Sequence, residues 1–252
     1  MIAGAAGVIG RVLSNGLNAY DLRLVDTNPP PYSDILFKNI DVANYKEHLK
    51  DVMIGHDVVI HLAHDMRENF DTRHTIHDNK IMIENIYSAA LKVSPHPRVI
   101  VASSVHAAGG HINWDIEPYT NVKERKRSLE QDELITVAHG PAADSPYAAT
   151  KIYGEELGRW YATQGLRVVC VRFGGVNERD EILEEPNFCY HAFWLSKQDC
   201  TQFVKCCIEA TLPQYSVFFA ISNNKYKVVD ISDARKALGY MPVDDAAMKR
   251  RL

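Results

Sequence analysis

The chain begins with MIAGAAGVIG, residues 1–10, and this stretch decides the fold. Its first apolar residues predict a short strand, and the residues from Val8 onward predict a helix. Between them, Gly4, Gly7 and Gly10 form a G-x-x-G-x-x-G pattern. Such glycines let the backbone turn tightly, so that the amide groups at the start of the helix face a phosphate group. The stretch therefore predicts a strand, turn and helix that bind a dinucleotide.

Outward from this stretch, strands and helices alternate, which predicts a parallel sheet covered by helices. The predicted strands cover residues 1–3, 22–25, 35–40, 58–62, 98–102, 166–172 and 216–221, and the predicted helices cover 8–19, 45–53, 71–93, 145–164, 199–211 and 233–238. The fold class is α/β, a Rossmann-type doubly wound parallel sheet with a small C-terminal lobe on the substrate side. We expect one domain over 1–252, with a cofactor-binding core at 1–173 and the substrate-side portion at 174–252. The charged residues 114–134 predict a long surface loop.

Composition excludes several classes of protein. The chain has 252 residues, 46% of them hydrophobic, which suits one α/β domain. A net charge of −4 argues against nucleic acid as a partner. No apolar run approaches the ~20 residues of a membrane span, and no signal peptide precedes the glycines. The five cysteines lack a CxxC pair, and the eleven histidines lack metal-site spacing, so we expect free thiols, a cytoplasmic protein and no metal.

An acidic residue closes the second predicted strand. Asp26 lies 16 residues after Gly10, where a carboxylate accepts hydrogen bonds from the ribose hydroxyls of the cofactor. Because it repels a 2′-phosphate, it favours NAD over NADP. The complete predicted cofactor site comprises Gly4, Gly7, Val8, Ile9, Gly10, Asp26, Asp41, Val42, Leu62, Ala63 and Asn79, with Tyr147 and Lys151.

Tyr147 and Lys151 are four residues apart on a predicted helix, so they share one face. Tyrosine ordinarily titrates near ~10, and a nearby ammonium group favours the phenolate. Ser104 stands just after the predicted strand 98–102. These three residues, behind a dinucleotide motif, predict hydride transfer between an alcohol and a nicotinamide, with the tyrosine as proton carrier.

The glycine pattern, the segment His61-Leu62-Ala63, Asn79, Ser104 and the Tyr147/Lys151 pair lie at the positions of a known family's motifs. The chain resembles the extended short-chain dehydrogenase/reductases, the NAD-dependent epimerase/dehydratase superfamily, from Gly4 to the last helix. Segments 101–106, 190–196 and 237–242 most resemble uronate dehydrogenases and related NAD-dependent sugar dehydrogenases. The resemblance implies that Ser104 orients the reacting oxygen and that Lys151 holds the nicotinamide ribose. It also implies a homodimer formed through the helices 71–93 and 145–164.

The chain departs from that family at three places. Its first strand is shorter, and the stretch 114–134, with the basic run 123–127, is longer. The run either meets a phosphate or carboxylate of the substrate or belongs to a solvated loop. His191 stands where uronate dehydrogenases place an arginine for the substrate carboxylate, and Asp65 or Met66 stands where they place a serine. These differences argue against a uronate substrate.

Three functions are compatible with the sequence. The favoured one is an NAD-dependent oxidoreductase that oxidises a sugar, sugar phosphate or uronate, at the anomeric carbon. The second is an NAD-dependent nucleotide-sugar epimerase or dehydratase, and the third is an NAD-binding redox sensor or scaffold without catalysis. The catalytic residues are Ser104, Tyr147 and Lys151, and the expected substrate contacts are Ser104, His106, His191 and Trp194. The expected partners are a small sugar and a second copy of the chain.

Overall fold

A computed structural model describes residues 1–30, 35–44, 46–65, 73–182 and 189–249. In these residues seven parallel strands form one sheet in the order β3-β2-β1-β4-β5-β6-β7. The strands are β1 (Ile2–Ala3), β2 (Arg23–Asp26), β3 (Leu36–Asn39), β4 (Val58–His61), β5 (Arg98–Ser104), β6 (Arg167–Phe173) and β7 (Tyr215–Ala220). Strands are added toward one edge of the sheet from β1 to β3 and toward the other edge from β4 onward. The carboxyl ends of β1 and β4, where this reversal occurs, border a crevice.

Helices cover both faces of the sheet. They are α1 (Val8–Gly16), α2 (Lys46–Met53), α3 (Arg73–Leu91), α4 (Tyr119–Lys123), α5 (Pro146–Thr163), α6 (Tyr190–Phe193), α7 (Lys197–Glu209) and α8 (Ser232–Leu238). A 3₁₀ helix at Val105–His111 continues directly from β5. The predicted doubly wound Rossmann-type fold is confirmed.

Two apolar cores explain why the central strands are hydrophobic on both sides. On one face, Ile2, Leu13 and Ile100 belong to the core that includes α1 and α7. On the other face, Val59 and Ile86 belong to the core that includes α2 and α3. The sheet therefore holds its strand ends rigidly, and the functional loops extend from those ends.

Most element boundaries agree with the predicted ones to within one to three residues. β5 runs on to Ser104, so this residue closes the strand, whereas the prediction ended the strand at Ala102. α1 ends at Gly16, three residues earlier than predicted. Residues 31, 45 and 71–72, which the predictions placed in a loop and in two helices, lie outside the described residues. The predicted substrate-side portion 174–252 contains β7, which is part of the sheet.

The predicted long loop over residues 114–134 is irregular over most of its length but is interrupted by two short helical segments. The segment contains α4 and a 3₁₀ turn at Gln131–Glu133. Its charged run is locally paired: Lys126 contacts Glu124 at 2.5 Å, and Arg127 donates to Glu133 at 2.6 and 2.8 Å. Two cations of the run thus have carboxylate partners within the same segment, Glu124 and Glu133.

Within the described residues, no helix combines the length and the apolar character needed to cross a bilayer.

Candidate functional site

A cleft follows the carboxyl edge of the sheet and contains two adjoining cavities. The first, of about 810 Å³, lies beside the ends of β1, β2 and β4. The second, of about 600 Å³, lies beside the ends of β5 and β6. Both are lined by Gly4, Gly7, Leu62 and His64, so they form one continuous cleft. Two adjoining cavities of this size suit a dinucleotide, with one half in each cavity.

The three glycines of the first loop serve different purposes. A Cβ on Gly4, whose φ is +87°, would lie 2.4 Å from the backbone nitrogen of Ala63. A Cβ on Gly10 would lie 2.3 Å from the carbonyl oxygen of Gly4. Gly7 has an ordinary φ of −68°, and among the described residues other than its chain neighbours its Cβ would come within 4 Å of that same oxygen alone, at 3.4 Å. Gly4 and Gly10 are therefore required by packing, whereas Gly7 leaves space in the cleft at the N-terminus of α1.

This arrangement suits the pyrophosphate of a dinucleotide. Gly7 lies directly before α1 and lines both cavities, so a phosphate there meets the amide groups of the helix N-terminus. Among the predicted cofactor residues, Val8, Ile9 and Gly10 line the second cavity, and Asp26, Asp41, Val42 and Ala63 line the first. The chain brings all of these together.

Asp26 holds the glycine loop as well as lining the first cavity. Its Oδ2 accepts a hydrogen bond from the amide of Ala6 at 2.9 Å, and its Oδ1 accepts one from the amide of Asn28 at 3.0 Å. A carboxylate offers about four acceptor positions, so it can bind ribose hydroxyls in addition. Asp41 also lines the first cavity, and its Oδ1 accepts a hydrogen bond from the amide of Ala43 at 2.9 Å.

Asn79 lies behind the cleft and is not among the residues that line either cavity. Its Oδ1 accepts from the amide of Asp65 at 2.7 Å, and its Nδ2 donates to the carbonyl of Asp65 at 3.1 Å. The predicted cofactor contact of Asn79 is thus replaced by a supporting role: it fixes the loop that follows β4.

Tyr147, Lys151 and Ser104 meet in the second cavity. The side chain of Ser145 caps α5 by accepting from the amide of Ala148 at 3.2 Å, which places Tyr147 in the first helical turn. Lys151 Nζ lies 5.5 Å from the centre of the Tyr147 ring and donates to the carbonyl of Ala102 at 3.1 Å. Ser104, at the end of β5, is hydrogen-bonded to Tyr147. The strand end and the helix face thus assemble the predicted catalytic trio.

Burial governs the protonation of this trio. It raises the pKa of Tyr147 above the ordinary value, although the hydrogen bond from Ser104 acts in the opposite direction. It also lowers the pKa of Lys151 to about 8. The expected lowering of the tyrosine pKa is therefore not produced by the chain's own groups, because burial outweighs the favourable contacts.

Two histidine rings flank the ring of Tyr147. His64 and His106 each meet it edge to face, at centroid distances of 5.2 and 5.9 Å. Burial, followed by the charge of Lys151, lowers the pKa of His64 to about 2, so this ring is neutral. His106 lines the second cavity as a substrate-contacting residue would. Sequence reasoning missed His64, and its signal was its position directly after the Leu62-Ala63 segment.

The other two predicted substrate residues lie outside the lining of this cavity. The ring of His191 donates through Nε2 to the carbonyl of Val122 at 3.0 Å, and Trp194 is 0% exposed. Their neighbour Tyr190 lines the cavity instead. The prediction that His191 and Trp194 contact the substrate is therefore not supported, because packing against α4 and the core occupies both side chains.

Behind the trio lies a buried ion pair that sequence reasoning also missed. Glu155 and Arg172 are each 2% exposed, and two hydrogen bonds of 2.9 and 2.8 Å join them. Ser103 donates to the same carboxylate at 2.5 Å. Because Glu155 lies one turn beyond Lys151, this contact ties the catalytic helix to β5 and β6.

No group of three or more metal-ligating side chains occurs in the described part of the chain.

Comparison with known proteins agrees with this geometry. A model of the NAD dependent epimerase/dehydratase family matches residues 1–176. The NAD-dependent glucose-6-phosphate dehydrogenase of Haloferax volcanii is 30% identical, covering 98% of this chain and 94% of that protein. The L-arabinose 1-dehydrogenase (NAD(P)(+)) of the same organism is 30% identical over 98% of this chain and 96% of that protein.

The fold is also similar to a solved structure. The uronate dehydrogenase of Agrobacterium tumefaciens superimposes with a TM-score of 0.76 at 25% identity, over 98% of this chain and 84% of that one. The family resemblance stated from the motifs is confirmed by these matches. With its glycine loop, its parallel sheet and its Ser–Tyr–Lys cluster, the chain belongs to the NAD dependent epimerase/dehydratase family.

Proposed function

We propose that this protein is an NAD-dependent dehydrogenase that oxidises a hydroxyl group of a sugar or sugar derivative. One observation carries the proposal: Ser104, Tyr147 and Lys151 line a cavity that is continuous with the cleft of the glycine loop. A hydroxyl group bound between Ser104 and Tyr147 lies at the nicotinamide end of that cleft.

Each member of the trio has a separate task in this reaction. The bound NAD supplies the acceptor for the hydride. Tyr147, as phenolate, takes the proton of the substrate hydroxyl, and Ser104 holds the same oxygen by a hydrogen bond. Lys151 keeps a positive charge beside Tyr147, which favours the phenolate over the phenol. Its bond to the carbonyl of Ala102 fixes the ammonium group at the end of β5.

Asp26 supports NAD as the cofactor. Its carboxylate lines the first cavity at the end of β2, where it can accept hydrogen bonds from ribose hydroxyls. A 2′-phosphate at that place would face like charge from Asp26 and from the nearby Asp41. We therefore expect the Kd for NADP to exceed the Kd for NAD.

A sugar substrate is supported by the named activities of the relatives and by the few polar side chains that meet in the otherwise apolar second cavity. Both relatives above are sugar dehydrogenases by name. In this protein His106 adds a polar side chain next to Ser104 and Tyr147. We propose oxidation at the anomeric carbon, which yields a lactone and NADH.

The proposal includes a cytoplasmic homodimer. Trp160 on α5 is 54% exposed and adds apolar surface to one of the two helices concerned. A dimer that pairs α3 and α5 with their copies would cover it. Sedimentation of the purified protein tests this, since a monomer would overturn the dimer without affecting the catalytic proposal.

The activity test measures NADH absorbance with NAD and a panel of hexoses, pentoses, hexose phosphates and uronic acids. NADH formation with one member establishes a dehydrogenase and its substrate class. Tyr147→Phe should lose turnover and keep NAD binding. Tyr20→Phe is the matched control, because this hydroxyl bonds Glu209 outside the cleft and its loss should leave turnover unchanged.

Two outcomes would overturn the proposal. A protein that forms no NADH but interconverts a UDP-sugar with tightly held NAD is an epimerase. A protein that binds NAD, and whose biological effect persists in Tyr147→Phe, is a sensor or scaffold.

A further inference from the structure

His106 is held by a carboxylate that the reaction outlined above does not use. Its Nδ1 lies 2.6 Å from Oδ2 of Asp144. His106 lines the second cavity, and the two side chains are 32% and 30% exposed, so part of each group is shielded from water. Asp144 lies two residues before Pro146, the first residue of α5, which is the helix that carries Tyr147.

The backbone around Asp144 is shaped for this contact. The amide of Gly110 donates to the carbonyl of Ala142 at 2.8 Å, and the amide of Ala142 donates to the carbonyl of Ala107 at 2.8 Å. These bonds dock the segment before α5 against the 3₁₀ helix that follows β5. A Cβ on Gly109 would lie 2.0 Å from Asp144 Oδ2. Glycine at position 109 is therefore what lets the carboxylate reach His106.

Asp144 is held on its other side as well. Its Oδ1 accepts from the hydroxyl of Ser145 at 2.8 Å. Burial raises the pKa of Asp144, but the hydrogen bonds from His106 and Ser145 outweigh burial and lower the pKa overall. The group is an anion at neutral pH, and an ionised carboxylate only accepts hydrogen bonds. The proton between the two residues therefore resides on Nδ1 of His106.

A neutral histidine with its proton on Nδ1 has Nε2 as its acceptor. We propose that Asp144 is a positioning residue that fixes this tautomer, so that Nε2 of His106 accepts a hydrogen bond from the substrate hydroxyl next to the one that is oxidised. The inference rests on the proposed dehydrogenase function. It assigns the site to substrates with two neighbouring hydroxyl groups, such as the anomeric hydroxyl and the 2-hydroxyl of an aldose.

The contact would let the site select substrates that carry a second hydroxyl group. Ser104 and Tyr147 serve the reacting oxygen, which any alcohol has. His106, edge to face with Tyr147, serves a second oxygen, which a simple alcohol lacks. Without that hydroxyl, the complex lacks the hydrogen bond that Nε2 of His106 would accept from the substrate.

The first test reads the tautomer without using activity. Protein labelled with ¹⁵N in its histidine rings is compared with Asp144→Asn, and His106→Asn identifies the signal. The proposal expects the Nδ1–H tautomer in the wild type and a shift toward Nε2–H in Asp144→Asn. Nε2–H in the wild type, or an unchanged signal in the variant, would overturn it. Asn has nearly the shape of Asp, so it fits against Gly109.

The second test combines the variant with a change in the substrate. Aldoses oxidised by the wild type are compared with their 2-deoxy forms. The wild type should prefer the hydroxylated sugar in kcat/KM by about tenfold, and Asp144→Asn should lose most of that preference. NAD affinity should stay unchanged. Asp51→Asn, an exposed carboxylate on α2, is the control for loss of charge and should behave as the wild type.

The two tests separate failure of this proposal from failure of the proposed function. Equal preference in the wild type and in Asp144→Asn overturns the hydroxyl contact while the dehydrogenase stands. A wild type that oxidises no sugar overturns the dehydrogenase and the hydroxyl contact together, and the spectra then decide the role of Asp144 in fixing the tautomer.

Discussion

Gly7→Ala should separate cofactor binding from folding. The added Cβ would meet one protein atom, the carbonyl oxygen of Gly4 at 3.4 Å, and the φ of −68° suits alanine. Alanine restricts the unfolded chain more than glycine does, which stabilises the folded protein. Alanine is also a poorer N-cap than glycine, which destabilises it. Because the two effects oppose each other, the free energy of unfolding should change by less than about 1 kcal/mol. The methyl group would instead occupy the cleft where the two cavities join.

The expected loss falls on NAD. Inserting one methyl group into a fitted contact costs about 1–3 kcal/mol, which raises the Kd for NAD roughly 5- to 150-fold. The assay is a calorimetric titration with NAD, together with urea unfolding in its absence. Gly10→Ala, whose Cβ would lie 2.3 Å from Gly4 O, should lose stability as well as binding. Gly154→Ala, whose Cβ meets only Ile83 Cγ1 at 3.6 Å, should gain up to about 1 kcal/mol and bind NAD normally.

Two results would refute this reasoning. If Gly7→Ala binds NAD as the wild type does, the cofactor does not pass close to this residue. If it loses as much stability as Gly10→Ala, Gly7 is required by packing and the argument from its open surroundings is wrong.

Three further predictions concern charge. Glu155→Gln leaves the guanidinium of Arg172 buried without its anion, so urea unfolding should show a loss of about 3–5 kcal/mol, whereas an unchanged midpoint would mean that the pair contributes nothing. Because burial lowers the pKa of Lys151 to about 8, the unfolded chain binds more protons than the folded one between that value and the ordinary ~10.4. The stability of the ligand-free wild type relative to Lys151→Met should therefore rise with pH across that window, and a fall would contradict the assignment. Because the pKa of Tyr147 is raised, the rate of sugar oxidation should increase with pH through neutrality, and a rate independent of pH would exclude phenolate as the base.

Patterns local in the chain could be predicted from the sequence. The G-x-x-G-x-x-G loop, Asp26 and the pair Tyr147/Lys151 are each defined by short spacings on a strand end or one helix face. The structure places all of them along one cleft, and the comparisons confirm the family. The parallel sheet followed from the alternation of elements, because parallel strands need helical crossovers.

Contacts between distant segments could not be predicted in this way. Asp144 reaches His106 across 38 residues, and Ser103 reaches Glu155 across 52. Neither spacing carries a signal in one sequence, because the docking of α5 on β5 creates both contacts. His191 and Trp194 show the opposite error: family position suggested substrate contact, and tertiary packing directed both side chains elsewhere.

The bond between Asp26 and the amide of Ala6 bears on redesign of the protein. In the proposed complex this carboxylate would contact the ribose of the cofactor, and it also anchors the glycine loop. Replacing Asp26 by a residue without an acceptor, in order to admit a 2′-phosphate, would release the loop at the same time. A switch to NADP therefore has to keep an acceptor at this position, as Asn or Ser would, and introduce a positive charge at another position, for example by Asn28→Arg. If Asp26 binds the ribose as proposed, a substitution there that removes the acceptor changes both the cofactor preference and the support of the glycine loop.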